Sequence, residues 1–141
     1  MPELCAFDYA IIRVVPRVER EEFINAGVIL SCPARKFLQA RIELDWQKLA
    51  ALNPTLDAET TQNYLDTFPL VCVGGAGAGD IGRLSQRERF HWLVAPRSTI
   101  IQTSPVHSGL CENPESTLEH LLETMVLSAK ASSQPLPDDD R

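Results

Sequence analysis

The sequence predicts an α+β fold: a small antiparallel or mixed sheet of three to five strands, with helices mainly on one face and a C-terminal amphipathic helix. Segments rich in β-branched residues cluster in the first 45 residues, and capped segments of helical period dominate the rest. A chain of 141 residues can bury one core without staples. We therefore predict a single domain over residues 1–130 and a disordered acidic tail over 131–141.

Three strands are predicted first. Residues 7–15 (FDYAIIRVV) end at Pro16 and are apolar on both faces, which favours a central strand covered on both sides. Residues 25–32 (NAGVILSC) and 37–44 (FLQARIEL) follow, and the second of these alternates cleanly. The short connection 33–36 predicts that the two form a hairpin.

Two helices are predicted next. Asp45 can cap a short helix over 46–52, and Asp57 can cap a longer one that we expect to end at Pro69. A short apolar run, LVCV, follows that proline. The positions of helical spacing in the longer helix are Thr61, Tyr64, Leu65 and Phe68.

The middle of the chain combines glycine-rich and helical signals. Residues 74–82 contain five glycines, which predicts a mobile connection. They lack the GxxxxGK[ST] pattern of a phosphate loop, and no helix follows directly. Ser85 and Glu88 form a capping box for a helix ending near Ala95, and TIIQT at 99–103 predicts a late strand.

The strongest predicted helix is the last one. Asn113 can cap it, and Pro114 occupies its first position. Its apolar stripe comprises Leu118, Leu121, Leu122, Met125, Val126 and Ala129.

Composition and cysteine usage restrict the class of protein. A net charge of −6 argues against binding nucleic acid or an anionic membrane through bulk charge. No run approaches the roughly 20 apolar residues of a membrane span, and the first residues lack the apolar run of a signal peptide. The four cysteines form no CxxC pair, so we expect reduced core thiols, a cytoplasmic location, and neither a metal nor a cofactor.

One stretch of the chain is net positive. Residues 81–110 contain four basic groups and one acidic group. An arginine with nearby hydroxyl, amide and imidazole groups can surround an anion such as phosphate. In the alternative interpretation, Arg97 caps the carbonyls of the preceding helix and the residues after it form a turn. The candidates in this stretch are His91, Arg97, Ser98, Thr99, Gln102 and His107.

A second set of candidates lies near the first strand. Arg13 interrupts an apolar strand, so it must be paired or must face a cleft. We favour an ion-pair network with Glu19, Glu21 and Glu22 over a binding role. Asn25 and Gly27 begin the second strand, where glycine indicates a bulge or a close approach. The ligand-binding candidates in this region are Arg13, Arg17 and Asn25.

Three segments carry a family resemblance: residues 9–30 (YAIIRVVPRVEREEFINAGVIL), 40–45 (ARIELD) and 88–111 (ERFHWLVAPRSTIIQTSPVHSGLC). They closely resemble a widespread bacterial family, Domain of Unknown Function 3037, over about residues 6–127. The resemblance implies a compact intracellular bacterial protein with no established reaction. It also implies a candidate partner, since members are often encoded beside a toxin-type serine/threonine kinase.

Three functions remain open at this point. The first is a non-enzymatic interaction module for a partner protein, favoured because the sequence shows no nucleophile–base or metal constellation. The second is an enzyme or binder that uses the arginine, histidine and hydroxyl candidates on an anionic, phosphorylated ligand. The third is nucleic-acid binding through a basic patch joining residues 13–20 and 83–97. The positions of Arg13 and Arg97 discriminate among them.

Overall fold

A computed structural model describes residues 3–97 and 99–127 of the chain. Its sheet is antiparallel, with order β3-β2-β1-β4, and β5 also pairs with β1. One edge of β1 pairs with β2, and the other edge is shared by β4 and β5. The strands are β1 (Cys5–Val14), β2 (Ile24–Cys32), β3 (Phe37–Ile42), β4 (Ile101–Thr103) and β5 (His107–Cys111).

In the described residues, four α-helices accompany the sheet. The last one continues into a π-helical turn, Leu122–Val126. The helices are α1 (Trp46–Leu52), α2 (Ala58–Val73), α3 (Gln86–Leu93) and α4 (Pro114–Leu121). Short 3₁₀ turns lie at Val18–Arg20, Pro33–Arg35 and Ala76–Arg83. Along the described residues, no helix combines the length and apolar character that crossing a membrane requires.

Two apolar cores lie on opposite faces of the sheet. On the face we call the α2 face, Ile12 and Val14 of β1 pack with side chains of α1, α2 and α3. On the opposite face, the α4 face, Phe7 and Ile11 of the same strand pack with Leu118 and its neighbours in α4. Three helices therefore lie on one face and α4 on the other, which confirms the predicted α+β fold and the double coverage of β1.

The predicted helix caps are confirmed. The Asp45 carboxylate accepts from the backbone of Lys48, and Asp57 accepts from Glu59 and Thr60. These side chains satisfy N–H groups that the first turn of a helix leaves without partners. Ser85 and Glu88 form the predicted capping box, and Asn113 accepts from Glu115 and Ser116.

The end of α2 differs from the prediction. The helix does not stop at Pro69, and LVCV forms its last turn. Val71 and Cys72 are buried there against the α2-face core. The Arg89 guanidinium donates to the carbonyls of Val71 (2.8 Å) and Cys72 (2.7 Å), groups that a helix end leaves unpaired. Packing and this cap offset the hydrogen bond that proline cannot make.

The glycine-rich segment forms defined 3₁₀ turns, where we had predicted a mobile connection. The backbone N–H of Gly75 donates to Gly82 O at 2.9 Å, which closes the segment on itself. A Cβ on Gly82 would stand 1.9 Å from Gly75 O, so no larger residue fits there. Three glycines also adopt positive φ. Here glycine supplies conformation and close approach.

Strand β5 was not predicted. It contains Gly109, where a Cβ would stand 2.9 Å from the ring of Phe7, so a strand-weakening residue is required by packing. The predicted late strand is present in shorter form as β4. In the last helix Leu118, Leu121 and Leu122 are buried as predicted, whereas Met125 is 40% exposed. Ala129 and the predicted tail at 131–141 lie outside the described residues.

Candidate functional site

Three predicted site residues form a row across the sheet. Arg13 of β1 is the register partner of Asn25 in β2 and of Gln102 in β4. Cross-strand partners share a face, and the neighbours of Arg13, Ile12 and Val14, belong to the α2-face core. The row therefore lies on the α4 face, and we call it the polar row.

A β-bulge sets this row. Ile12 pairs with Gly27 and Arg13 with Asn25, so Ala26 is the extra residue. Gly27 also makes a close approach, because a Cβ there would stand 2.3 Å from Arg41 O. Both interpretations of the glycine signal are thus confirmed. The bulge brings Asn25 to the same face as Arg13.

Arg13 has a cation–π contact, and the predicted ion-pair network is wrong. Its Cζ lies 4.0 Å from the ring centre of Phe23, and its buried Nε has no hydrogen-bond partner within residues 3–97 and 99–127. Among the described residues it forms no salt bridge, whereas Glu22 pairs with Arg20 at 2.9 Å. The local reason is the 3₁₀ turn Val18–Arg20, which places the two side chains of that pair together at the surface.

The other two members of the row are held by the backbone. Asn25 Nδ2 donates to Met125 O at 2.9 Å, while its buried Oδ1 has no partner in the part of the chain that the structure describes. Gln102 Nε2 donates to Thr99 O at 2.9 Å. An unpaired donor on Arg13 and an unpaired acceptor on Asn25 therefore lie on neighbouring strands. Such atoms are costly in a native protein and are exceptions that call for an explanation.

A groove adjoins the polar row. It has a volume of about 850 Å³ and runs between α1 and the end of the π-helical turn. We call it the α1–α4 groove. Phe23, Leu52 and Met125 line it and are 46%, 39% and 40% exposed. Its charged lining residues are Glu43, Asp45 and Lys48. Phe23 belongs to both features, because it lines the groove and carries the Arg13 guanidinium on its ring.

Arg97 follows the alternative interpretation. Its guanidinium donates to Leu93 O (3.1 Å) and Trp92 O (2.6 Å) and lies 4.8 Å from the Trp92 ring centre. It therefore caps α3. Thr99 donates to Ile101 O at 2.9 Å. Ser98 lies outside the described residues.

The remaining candidates are dispersed. His91 is exposed on α3, and Arg17 is exposed at the start of a 3₁₀ turn. His107 is exposed on β5, with its ring 5.3 Å from that of Tyr9. Arg97 borders the α2-face residues Leu93 and Ile101, so it lies across the sheet from Arg13. The eight candidates that the structure describes therefore do not share one cleft, and among them Arg13, Asn25 and Gln102 come together.

A cluster of three cysteines was missed by the sequence analysis. All four cysteines are free and buried, as predicted. Cys5, Cys32 and Cys111, however, place their Sγ atoms within 4.8 Å of one another. The Cys5 Sγ lies 3.1 Å from that of Cys32 and 3.8 Å from that of Cys111. Residue spacing gives no sign of this, because the cluster depends on the unpredicted pairing of β1 with β5.

Burial determines the protonation state of two of the cluster thiols, those of Cys32 and Cys111. Burial raises the pKa of Cys32 to about 11, and burial also raises that of Cys111. The backbone N–H of Arg35 opposes the shift at Cys32, and the Thr117 side chain opposes it at Cys111. His107 cannot serve Cys111 as a base, because the four residue steps of extended strand between them span roughly 13 Å. The thiols of Cys32 and Cys111 are therefore neutral near pH 7.

A comparison with protein families decides membership. The model of the family described as "Protein of unknown function (DUF3037)" matches residues 9–126, most of the chain. The chain belongs to the DUF3037 family. The match includes the whole polar row and ends next to Leu127 of the groove, while Cys5 precedes it. For this DUF3037 chain, no curated protein and no solved structure gave a match.

Proposed function

We propose that this protein is a non-enzymatic interaction module that holds a segment of a partner protein in the α1–α4 groove. The observation that carries the proposal is the groove itself. It is about 850 Å³, and its wall exposes the large apolar side chains Phe23, Leu52 and Met125. Apolar surface of this kind, with polar groups at its edge, is typical of a protein interaction site.

The edge of the groove specifies the chemistry of the partner. The Arg13 guanidinium on Phe23 has no acidic partner in the described part of the chain. We therefore infer an apolar segment followed by a carboxylate, which would take the guanidinium as its charge partner. The toxin-type kinase implied by the family resemblance is the proposed source of this segment. The four free thiols support a cytoplasmic setting for the complex.

Pull-down from the native bacterial host tests the proposal with matched variants. Met125→Glu places a charge inside the groove, whereas Val73→Glu places one at an equally apolar position, 84% exposed and outside the groove lining. We expect a stoichiometric partner, checked against the kinase, with the wild type and Val73→Glu but not with Met125→Glu. Equal recovery with both variants, or no partner with the wild type, contradicts the proposal.

The chain's own end is a competing occupant, because Leu127 lines the groove and residues 128–141 follow it. Deleting 131–141 separates the two cases. If the tail fills the groove, its deletion strengthens capture of the partner. Unchanged capture assigns the groove to the partner alone.

Binding of a small anion at Arg13 is the second candidate function. The unpaired Nε of Arg13 and its position beside Asn25 and Gln102 favour it. Titration with inorganic phosphate, followed by NMR shifts of β1 and β4 amides, tests it. Arg13→Met should abolish the shifts, and Arg87→Met, an exposed arginine on α3, should leave them unchanged. The nucleic-acid alternative has less support, because Arg89 and Arg97 are engaged with main-chain carbonyls.

A further inference from the structure

The cysteine cluster brings three sulfur atoms to one point in the α4-face core. Cys5 begins β1, Cys32 ends β2 and Cys111 ends β5, so three adjacent strands each contribute one thiol. Cys5 and Cys111 are direct register partners. None of the three is more than 8% exposed. The group is therefore fixed by the sheet itself and shielded from water.

The spacing of the sulfurs fits a bound ion. Metal–sulfur bonds of about 2.3 Å in a trigonal plane require sulfurs about 4 Å apart. The Cys5 sulfur lies 3.1 Å from that of Cys32 and 3.8 Å from that of Cys111, and all three atoms lie within 4.8 Å of one another. A regular triangle of this size requires the Cys5–Cys32 separation to widen by about 0.9 Å. Thiolate donors favour soft ions such as Cu(I).

The ligand number discriminates among soft ions. In the described residues, no histidine, aspartate, glutamate or further cysteine joins the three sulfurs. Structural zinc sites are almost always four-coordinate, so this set lacks a ligand for zinc. Cu(I), a d¹⁰ ion, accepts three thiolates. We propose that Cys5, Cys32 and Cys111 form a three-coordinate site for Cu(I).

Binding needs no change of oxidation state. Each coordinating thiol gives up its proton to solvent as its Cu–S bond forms, and the copper stays Cu(I). The Arg35 backbone N–H lies beside Cys32, where it can serve a thiolate as an outer partner. Arg35 also donates to Glu3 O (3.0 Å) and Glu112 O (2.9 Å), which joins the chain before Cys5 to the chain after Cys111.

The chain contains its own control. Cys72 is equally buried but lies in the α2-face core, on the other side of the sheet. Full-length protein, reduced and kept free of oxygen, is titrated with the Cu(I) complex of bicinchoninate. We expect the wild type and Cys72→Ala each to withdraw one equivalent. Loss of an outer partner alone typically lowers metal affinity by about 10–100-fold, and loss of a ligand should cost more. We therefore expect a larger fall than this in the Cu(I) affinity of each of the variants Cys5→Ala, Cys32→Ala and Cys111→Ala.

A second measurement does not depend on variants that fold poorly. Wild-type protein with and without Cu(I) is alkylated in mild urea, and the modified cysteines are identified by mass spectrometry. Protection of Cys5, Cys32 and Cys111, with Cys72 unprotected, supports the site. The proposal is overturned if Cu(I) protects Cys72 as well as the three cluster cysteines, or if the wild type withdraws no copper. It is also overturned if Cys72→Ala loses as much Cu(I) affinity as the three cluster variants.

Discussion

At the scale of single residues, Arg13 combines a favourable contact with an unfavourable one. Its cation–π contact with Phe23 is worth about 0.5–1 kcal/mol at such a position. Its buried, unpaired Nε costs about 1–3 kcal/mol. The balance of these two terms is unfavourable for the stability of the fold.

Replacing Arg13 should therefore stabilise the protein. Arg13→Met keeps the apolar stem and removes the unpaired group, so we expect the free energy of unfolding to rise by about 1 kcal/mol in urea denaturation. Arg41→Met is the control, because Arg41 lies 2.9 Å from Glu119 and its loss should not stabilise the fold. A clear loss of stability in Arg13→Met would show that the arginine is structural.

Gly27 is the most constrained glycine of the sheet. Gly27→Ala would place a Cβ 2.3 Å from the backbone oxygen of Arg41, which forces β2 and β3 apart. We expect a loss of about 1–3 kcal/mol, measured from urea midpoints. Gly77→Ala, whose Cβ would meet only Leu70 Cδ1 at 3.8 Å, should be within about 1 kcal/mol of the wild type. Equal effects would contradict the close approach.

Cys72 should make the protein sensitive to alkali. Burial raises its pKa to about 12 in the folded chain, against 9.0 for an ordinary thiol. Because the unfolded thiol ionises first, its contribution to stability is complete below about pH 9 and is lost as the pH rises toward 12. Denaturation across this range should show a smaller loss for Cys72→Ala than for the wild type. If the wild type and Cys72→Ala lose stability in parallel as the pH rises, the raised pKa of Cys72 is refuted.

At the scale of elements, the capping box fixes the start of α3. The Ser85 hydroxyl accepts from the backbone N–H of Glu88 at 3.2 Å. Ser85→Ala should lower the free energy of unfolding by about 1 kcal/mol. The control is Ser116→Ala in the first turn of α4, because the Ser116 hydroxyl makes no hydrogen bond to the described residues. This variant should leave the free energy of unfolding nearly unchanged. The comparison fails if both variants behave alike in thermal denaturation.

Local sequence signals predicted most helices and strands. The features that depend on contacts between distant residues were not predicted. Asp45, Asp57 and Asn113 act through atoms two or three residues away, so their caps are readable in sequence. The continuation of α2 past Pro69 is capped by Arg89, which lies 20 residues further along the chain. The polar row was half predicted: its three residues were candidates, but the bulge that aligns them and the cysteine cluster both depend on strand register.

At the scale of the whole molecule, one sheet separates two cores. Ile101 belongs to the α2-face core and Leu118 to the α4-face core, so they share no packing partner. Ile101→Val should cost about 0.5–1.5 kcal/mol and Leu118→Ala about 2–5 kcal/mol. We expect the double variant to equal the sum within about 0.5 kcal/mol in urea denaturation. A larger coupling would mean that the sheet transmits strain between its faces.

The bulge at Ala26 makes the position of the polar residue depend on chain length. With the same length and no bulge, Ala26 would pair with Arg13, and Asn25 would move to the opposite face of the sheet. A DUF3037 relative one residue shorter between the equivalents of Arg13 and Gly27 would need no bulge, because the residue directly before its glycine would then pair with the arginine. The family should therefore divide by the length of this segment: a polar residue is expected two positions before the glycine in the longer members and one position before it in the shorter ones.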